Sequence, residues 1–64
     1  MTEEAARNVV LLILTCSQQA VEPAELAHHT GLSLRMVIGV LDRLREEEKV
    51  RCRFGSGREF WEAC

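Results

Sequence analysis

The sequence lacks paired cysteine motifs, and no long apolar run is present. Cys16, Cys52 and Cys64 are odd in number and form no C-x-x-C pair, which argues against a disulfide framework and against a zinc site. The longest apolar run, Val9 to Leu14, is far shorter than the roughly 20 residues that cross a bilayer. No basic segment with a small-residue cleavage site precedes it. We therefore expect a cytoplasmic protein without a signal peptide or a membrane span.

The residue arrangements that indicate catalysis are also lacking. There is no Gly-rich phosphate loop, and no Ser-His-Asp, Cys-His or paired-carboxylate arrangement can be argued. A chain of 64 residues also offers no deep pocket. His28 and His29 are adjacent, so on a helix they point about 100° apart and cannot share one metal ion. We expect neither enzyme activity nor a cofactor or metal.

The composition is that of one small globular domain over residues 1–64. The sequence is 47% hydrophobic and 28% charged, too apolar for a disordered chain. At this length a domain buries only about 60% of the surface that its unfolded chain exposes, so its core is small. The net charge is −2, but the second half of the chain is mildly basic because most cations lie there. These are Arg35, Arg43, Arg45, Lys49, Arg51, Arg53 and Arg58.

Capping signals and apolar periodicity predict three helices. The first, over about residues 3–19, follows Thr2 as N-cap, with acidic residues in its first turn. The second, over about 23–30, begins with Pro23 and stops at Gly31. The third, over about 33–48, starts at Ser33. Its apolar residues recur at helical spacing: Val37, Val40, Leu41 and Leu44.

The first helix carries more apolar residues than one buried face needs. Ala6, Val9, Val10, Ile13 and Leu14 form a helical stripe, and Leu11, Leu12 and Cys16 widen it. Such an excess requires a second neighbour, which is either the rest of the domain or another molecule. A homodimer through this helix is therefore one of the two interpretations.

A two-stranded hairpin over about residues 50–62 follows the helices. Val50, Cys52 and Phe54 alternate with arginines, which is typical of a strand with one buried face. A glycine-rich turn over residues 55–57 leads to a returning strand. Neighbouring strand residues point to opposite faces, so of Phe60 and Trp61 one faces the core and the other faces away. An outward tryptophan would be an interface anchor, and an inward one would cover the first helix.

The stretch "PAELAHHTGLSLRMVIGVLD" resembles the helix-turn-helix pattern. Ala27 allows the two helices to cross closely, Gly31 makes the tight turn, and aliphatic residues fill the space beneath. With the hairpin added, the order of elements resembles an α+β winged helix-turn-helix domain of the kind found in small bacterial transcription regulators. The segment "GLSLRMVIGVLDRLREEEKVRC" follows that family's pattern without a gap. It departs from it at Glu48 and Lys49, where the family usually has Gly-Leu.

The resemblance implies a regulator that binds duplex DNA, with the third helix in the major groove and the wing on the backbone. It assigns base contacts to Leu34, Arg35, Ile38, Gly39 and Asp42. It assigns backbone contacts to Ser33, Arg43, Arg51, Arg53 and Arg58. Ser56, between two glycines, completes a wing suited to phosphate. The other interpretation of this hairpin is a solvated edge ribbon whose arginines prevent pairing with another chain.

A protein-docking module is the alternative function. Several apolar residues of the third helix lie on the outer flanks, where a DNA reader usually has polar side chains. With the tryptophan as anchor, the docking set is Leu34, Met36, Ile38, Gly39 and Trp61. A glycine inside a helix costs about 1 kcal/mol relative to alanine, which indicates close approach of a partner to the backbone. That partner is either a protein or a phosphate backbone.

Overall fold

The computed structural model describes residues 2–64 as three helices followed by a two-stranded antiparallel hairpin, which is the α+β architecture predicted from the sequence. The bounds are α1 (Glu3–Cys16), α2 (Pro23–Thr30), α3 (Leu34–Glu46), β1 (Val50–Gly55) and β2 (Arg58–Ala63). No helix in this part of the chain is both long and apolar enough to cross a membrane.

Local capping explains where α1 and α3 begin and where α2 ends. The Thr2 hydroxyl accepts a hydrogen bond from the Ala5 N–H at 3.1 Å, and the Ser33 hydroxyl accepts one from the Met36 N–H at 3.1 Å. Each bond satisfies a backbone donor that the first turn leaves without a partner. Gly31 ends α2 in the left-handed conformation, at φ 75°.

Helix α1 ends at Cys16, three residues before the end predicted from the sequence. Ser17 is already extended, and the chain continues to Val21, which pairs with Trp61 of β2. Each of these two residues donates its N–H to the other's carbonyl oxygen at 2.8 Å. The helix stops early because the linker must be extended to make this pairing, which no local sequence pattern indicates.

Helix α3 ends in a Schellman motif instead of continuing to residue 48. The Lys49 N–H donates to the Leu44 carbonyl and the Glu48 N–H to the Arg45 carbonyl, both at 2.9 Å. Glu48 adopts φ 60°, the left-handed conformation that glycine takes most readily. The backbone therefore keeps the turn of the winged-helix pattern although the glycine is missing.

The core lies between the three helices and the inner face of the hairpin. It consists of Ala6, Val10, Leu14, Val21, Leu26, Val37, Val40, Leu41, Leu44, Val50 and Trp61. Trp61 is only 2% exposed, so it is the inward residue of the Phe60–Trp61 pair.

The expected buried face of β1 extends along only half of the strand. Val50 is buried and Cys52 is half-buried, but Phe54 is 81% exposed. Phe54 pairs with Glu59 close to the hairpin turn, and the residues of β1 near this turn are exposed on both faces. Ser56 and Gly57 form that turn with φ values of 52° and 74°, the pattern of a type I′ turn. The hairpin therefore projects beyond the helices as a wing.

Candidate nucleic-acid interface

The outward face of α3 is opposite its buried stripe. At about 100° per residue, Arg35, Gly39, Asp42 and Glu46 point farthest from the core, and all four are exposed. Two apolar side chains, Leu34 (47% exposed) and Ile38 (43% exposed), flank this strip on one side. Met36, at 38% exposed, lies on the opposite flank. The fold thus leaves in solvent the apolar residues that the sequence marked as unusual.

Gly39 lies at the centre of this face with open space in front of it. A Cβ atom built on Gly39 meets no heavy atom within 4 Å, apart from the helix's own nearby backbone. Packing between helices therefore does not require a glycine here. Its cost in helix stability, about 1 kcal/mol relative to alanine, has no compensation within the described residues.

Arg35 differs from every other lysine or arginine of residues 2–64, because it alone takes part in no ion pair. Arg43 lies 3.6 Å from a carboxylate oxygen of Glu3 on α1. Arg45 lies 3.3 Å from a carboxylate oxygen of Asp42, one turn earlier on α3. The one cation of this face that has no carboxylate partner is therefore close to the N-terminus of α3.

The three wing arginines are exposed, but each of them also has a carboxylate partner. Arg51 and Arg53 both approach the same Glu62 oxygen, at 2.7 Å and 3.5 Å. Arg58 lies 3.1 Å from Glu22, which precedes α2. The three arginine side chains remain 66–69% exposed. Glu62 and Glu22 are the residues that the sequence reasoning missed, and the alternation of arginines gave no signal for them.

Trp61 is not available as a surface anchor, which corrects one part of the docking alternative. Its indole N–H donates to a carboxylate oxygen of Glu59 at 2.7 Å, and the Arg45 guanidinium lies 5.6 Å from the ring centroid. The Arg45 contact connects α3 to β2, whereas the hydrogen bond to Glu59 lies within β2. The ring is buried because the inner face of β2 closes the helical core at this point.

A shallow depression of about 300 Å³ lies between the start of α2, the start of α3 and β2. Its apolar lining includes Leu34, Ile38 and Pro23, and charged residues of the wing and the linker border it. These are Glu22, Arg58 and Glu59. The depression joins the outward face of α3 to the wing in one continuous surface.

The sequence matches no family profile, and no similar sequence is found among curated proteins. The fold is similar to the solved structure of a mutant of ZitR from Lactococcus lactis, a winged-helix regulator, with a TM-score of 0.73 over 92% of this chain. The chain has the winged helix-turn-helix fold. The sequence identity is 18%, so the likeness is one of fold. The chain spans 40% of the length of that ZitR chain.

Proposed function

We propose that this domain binds duplex DNA and acts in transcription regulation, with α3 in the major groove and the hairpin wing on the sugar–phosphate backbone. The main supporting observation is the set of exposed cations on the wing and on α3. Arg51, Arg53 and Arg58 project from the wing, and Arg35 projects from α3 without an ion-pair partner among residues 2–64. Backbone contacts of this kind set the position and orientation of a protein on DNA.

The ion pairs of the wing are compatible with this proposal. Exposed salt bridges contribute about 0–1 kcal/mol, because solvent and salt screen them. Arginine binds phosphate through charge-assisted, bidentate hydrogen bonds, which are stronger than neutral ones. Arg51, Arg53 and Arg58 can therefore exchange Glu62 and Glu22 for phosphate oxygens, at some cost in affinity.

Ser33, Arg43 and Ser56 complete the proposed backbone contacts. Ser33 caps α3, whose N-terminal N–H groups and dipole favour phosphate. Ser56 lies at the tip of the wing, and Arg43 is exposed on α3. Their proposed role is to position α3 in the groove, and it rests on resemblance to winged-helix domains together with this placement.

A titration of fluorescently labelled duplex DNA tests the proposal. We expect the affinity to fall steeply between about 50 and about 200 mM salt. The salt slope is the slope of the logarithm of the binding constant against the logarithm of the salt concentration, and each phosphate interaction removed by mutation should flatten it by about 0.9. A variant with Arg51→Ala, Arg53→Ala and Arg58→Ala should bind more weakly and with a smaller slope. Lys49→Ala is the control, because Lys49 pairs with Glu47, whose carboxylate also binds Arg7 of α1. Equal losses of affinity in both variants would contradict the assigned wing contacts.

A homodimer through α1 is the assembly that we propose. Leu12 is 63% exposed on α1, and Leu11 and Ile13 beside it are only partly covered by the core. A single small domain buries little surface on DNA, so a dimer would bind more tightly to DNA that carries two copies of the recognised sequence. Leu12→Glu should convert dimers to monomers in sedimentation velocity. A wild-type chain that sediments as a monomer at high concentration would contradict the dimer.

Docking to a protein partner is the second candidate, favoured by the exposure of Leu34, Met36 and Ile38. It no longer includes Trp61, which is buried. If the wild-type chain shows no salt-dependent DNA binding and Ile38→Asp abolishes binding to a protein partner, docking replaces the DNA proposal. In either case we propose a binding role and not a catalytic one. The unpaired thiols of Cys16, Cys52 and Cys64 fit a cytoplasmic location.

A further inference from the structure

The N-terminal half of α3 combines exposed apolar side chains with a single charge. Among residues 34–39 the only ionised side chain is Arg35. The carboxylates of the outward strip, Asp42 and Glu46, come one to two turns later, and Asp42 is paired with Arg45. The part of the helix that can approach DNA without repelling phosphate is therefore apolar and weakly positive.

Leu34 and Ile38 are one helical turn apart and lie on the same flank of α3. Both line the depression between α3 and the wing together with Arg58, so a partner bound there would contact all three side chains. Arg35 follows Leu34 on the outward strip, and Gly39 follows Ile38 with open space around its backbone. The two apolar side chains are thus placed at the surface that would meet base edges.

The major groove of DNA contains a chemical group that suits an apolar surface with one arginine. Each base pair presents its own set of donors and acceptors there, and thymine adds the only methyl group, on C5. Aliphatic side chains contact that methyl group, whereas they form no hydrogen bond with base edges. Arginine forms bidentate hydrogen bonds with O6 and N7 of guanine, and no carboxylate of residues 2–64 forms an ion pair with Arg35.

We infer that Leu34 and Ile38 read C5-methyl groups of pyrimidines in the major groove, next to a guanine bound by Arg35. The inference rests on the proposed DNA binding and names the feature of DNA that α3 recognises. The methyl group belongs to thymine or to 5-methylcytosine, which present it at the same position of the ring. Gly39 allows the helix backbone to come close enough for the short contact with a methyl group.

The test uses three pools of random-sequence duplex, made with the ordinary nucleotides, with dUTP in place of dTTP, or with 5-methyl-dCTP in place of dCTP. Uracil removes only the methyl group and keeps every hydrogen-bonding group. We expect the uracil pool to bind about four-fold more weakly for each contacted methyl group, the value for one buried CH₂ group. Tighter binding of the 5-methylcytosine pool would identify that base as a second source of the methyl group.

The double variant Leu34→Ala and Ile38→Ala should bind the thymine and uracil pools equally and keep the salt dependence. Both positions are half-exposed, so thermal unfolding should show that the variant still folds. Gln19→Ala, which shortens an exposed side chain of the linker between α1 and α2, should keep the preference for thymine. Equal wild-type affinity for the thymine and uracil pools, with normal salt dependence, would overturn this inference and leave DNA binding intact. Absence of salt-dependent binding to every pool would overturn the proposed function as well.

Discussion

Val21 and Trp61 are joined by two backbone hydrogen bonds of 2.8 Å, one in each direction. Through them the linker between α1 and α2 is fixed to the wing, and the wing is fixed to the core by the buried indole of Trp61. Contacts of this one residue with the linker and with Arg45 therefore help to set the orientation of the wing relative to α3.

Trp61→Ala should destabilise the domain severely. Loss of a buried tryptophan lowers the free energy of unfolding by about 3–5 kcal/mol, which is most of the stability of a small domain. The chain has no other tryptophan, so the variant cannot be followed by tryptophan fluorescence. Urea unfolding followed by far-UV circular dichroism measures the loss instead. Phe54→Ala, at the exposed wing, is the control and should change stability by less than about 0.5 kcal/mol. Similar losses of stability in both variants would contradict the placement of these two rings.

Glu48→Gly should stabilise the domain. Glu48 holds φ 60° at the end of α3, a conformation that glycine adopts without steric cost. We expect a gain of about 0.5–1 kcal/mol in the free energy of unfolding. Glu46→Gly makes the same substitution two residues earlier, at the last helical residue of α3, and should lower stability by up to about 1 kcal/mol. Changes of the same sign in the two variants would show that the left-handed turn is not formed.

Gly39→Ala should change stability and DNA affinity in opposite directions. A Cβ atom at Gly39 meets open space within the chain, so the better helix former should add about 1 kcal/mol of stability. The same methyl group would keep α3 farther from the groove and weaken DNA binding. Thermal unfolding and the duplex titration measure the two effects on one preparation. Unchanged affinity would show that no ligand approaches this part of the backbone.

Glu62→Gln should increase DNA affinity. A neutral amide at this position would no longer compete with phosphate for Arg51 and Arg53, so both guanidinium groups become available and the salt slope steepens. We expect a several-fold gain in affinity, measured with the same duplex titration. Glu4→Gln, on α1, makes the same change of charge away from the wing. An equal gain in that control would indicate an effect of net charge alone.

Cys52 should make the domain less stable at alkaline pH. Burial, and next the negative charge of Glu59, raise the pKa of the Cys52 thiol. Because the folded chain binds the thiol proton more tightly than the unfolded chain does, the protonated thiol favours folding. This contribution to the free energy of unfolding is complete below about pH 8.5, the ordinary pKa of a cysteine, and is lost as the pH rises through the pKa of the folded state. Urea unfolding at neutral and alkaline pH should show this loss in the wild type and a smaller loss in Cys52→Ala. An identical pH dependence in both would exclude the thiol as its source.

Much of the fold could be predicted from local patterns. The N-caps Thr2 and Ser33, the αL turn at Gly31 and the apolar stripe of α3 are decided by neighbouring residues, and the structure places each of them as expected. Helix ends were less predictable. The end of α1 depends on the pairing of Val21 with Trp61, which lies 40 residues later in the chain.

The sequence predicted which types of residue are exposed at the candidate site. It did not predict the ion pairs that these residues form. The exposure of Leu34, Met36 and Ile38 follows from the helical period of α3. The alternation of β1 indicated exposed arginines but also a buried Phe54, which the projecting wing leaves in solvent. Ion pairs such as Arg58 with Glu22, separated by 36 positions, arise only when distant segments meet.

The sequence by itself determined the order of the elements, their caps and the side of α3 that faces the core, because these depend on interactions within a few residues. The tertiary structure alone decided that Trp61 faces inward, that Glu22 and Glu62 partner the wing arginines, and that Arg35 has no carboxylate partner among residues 2–64. These features depend on how the linker, α3 and the hairpin pack, and packing brings together charges and rings that local periodicity does not relate.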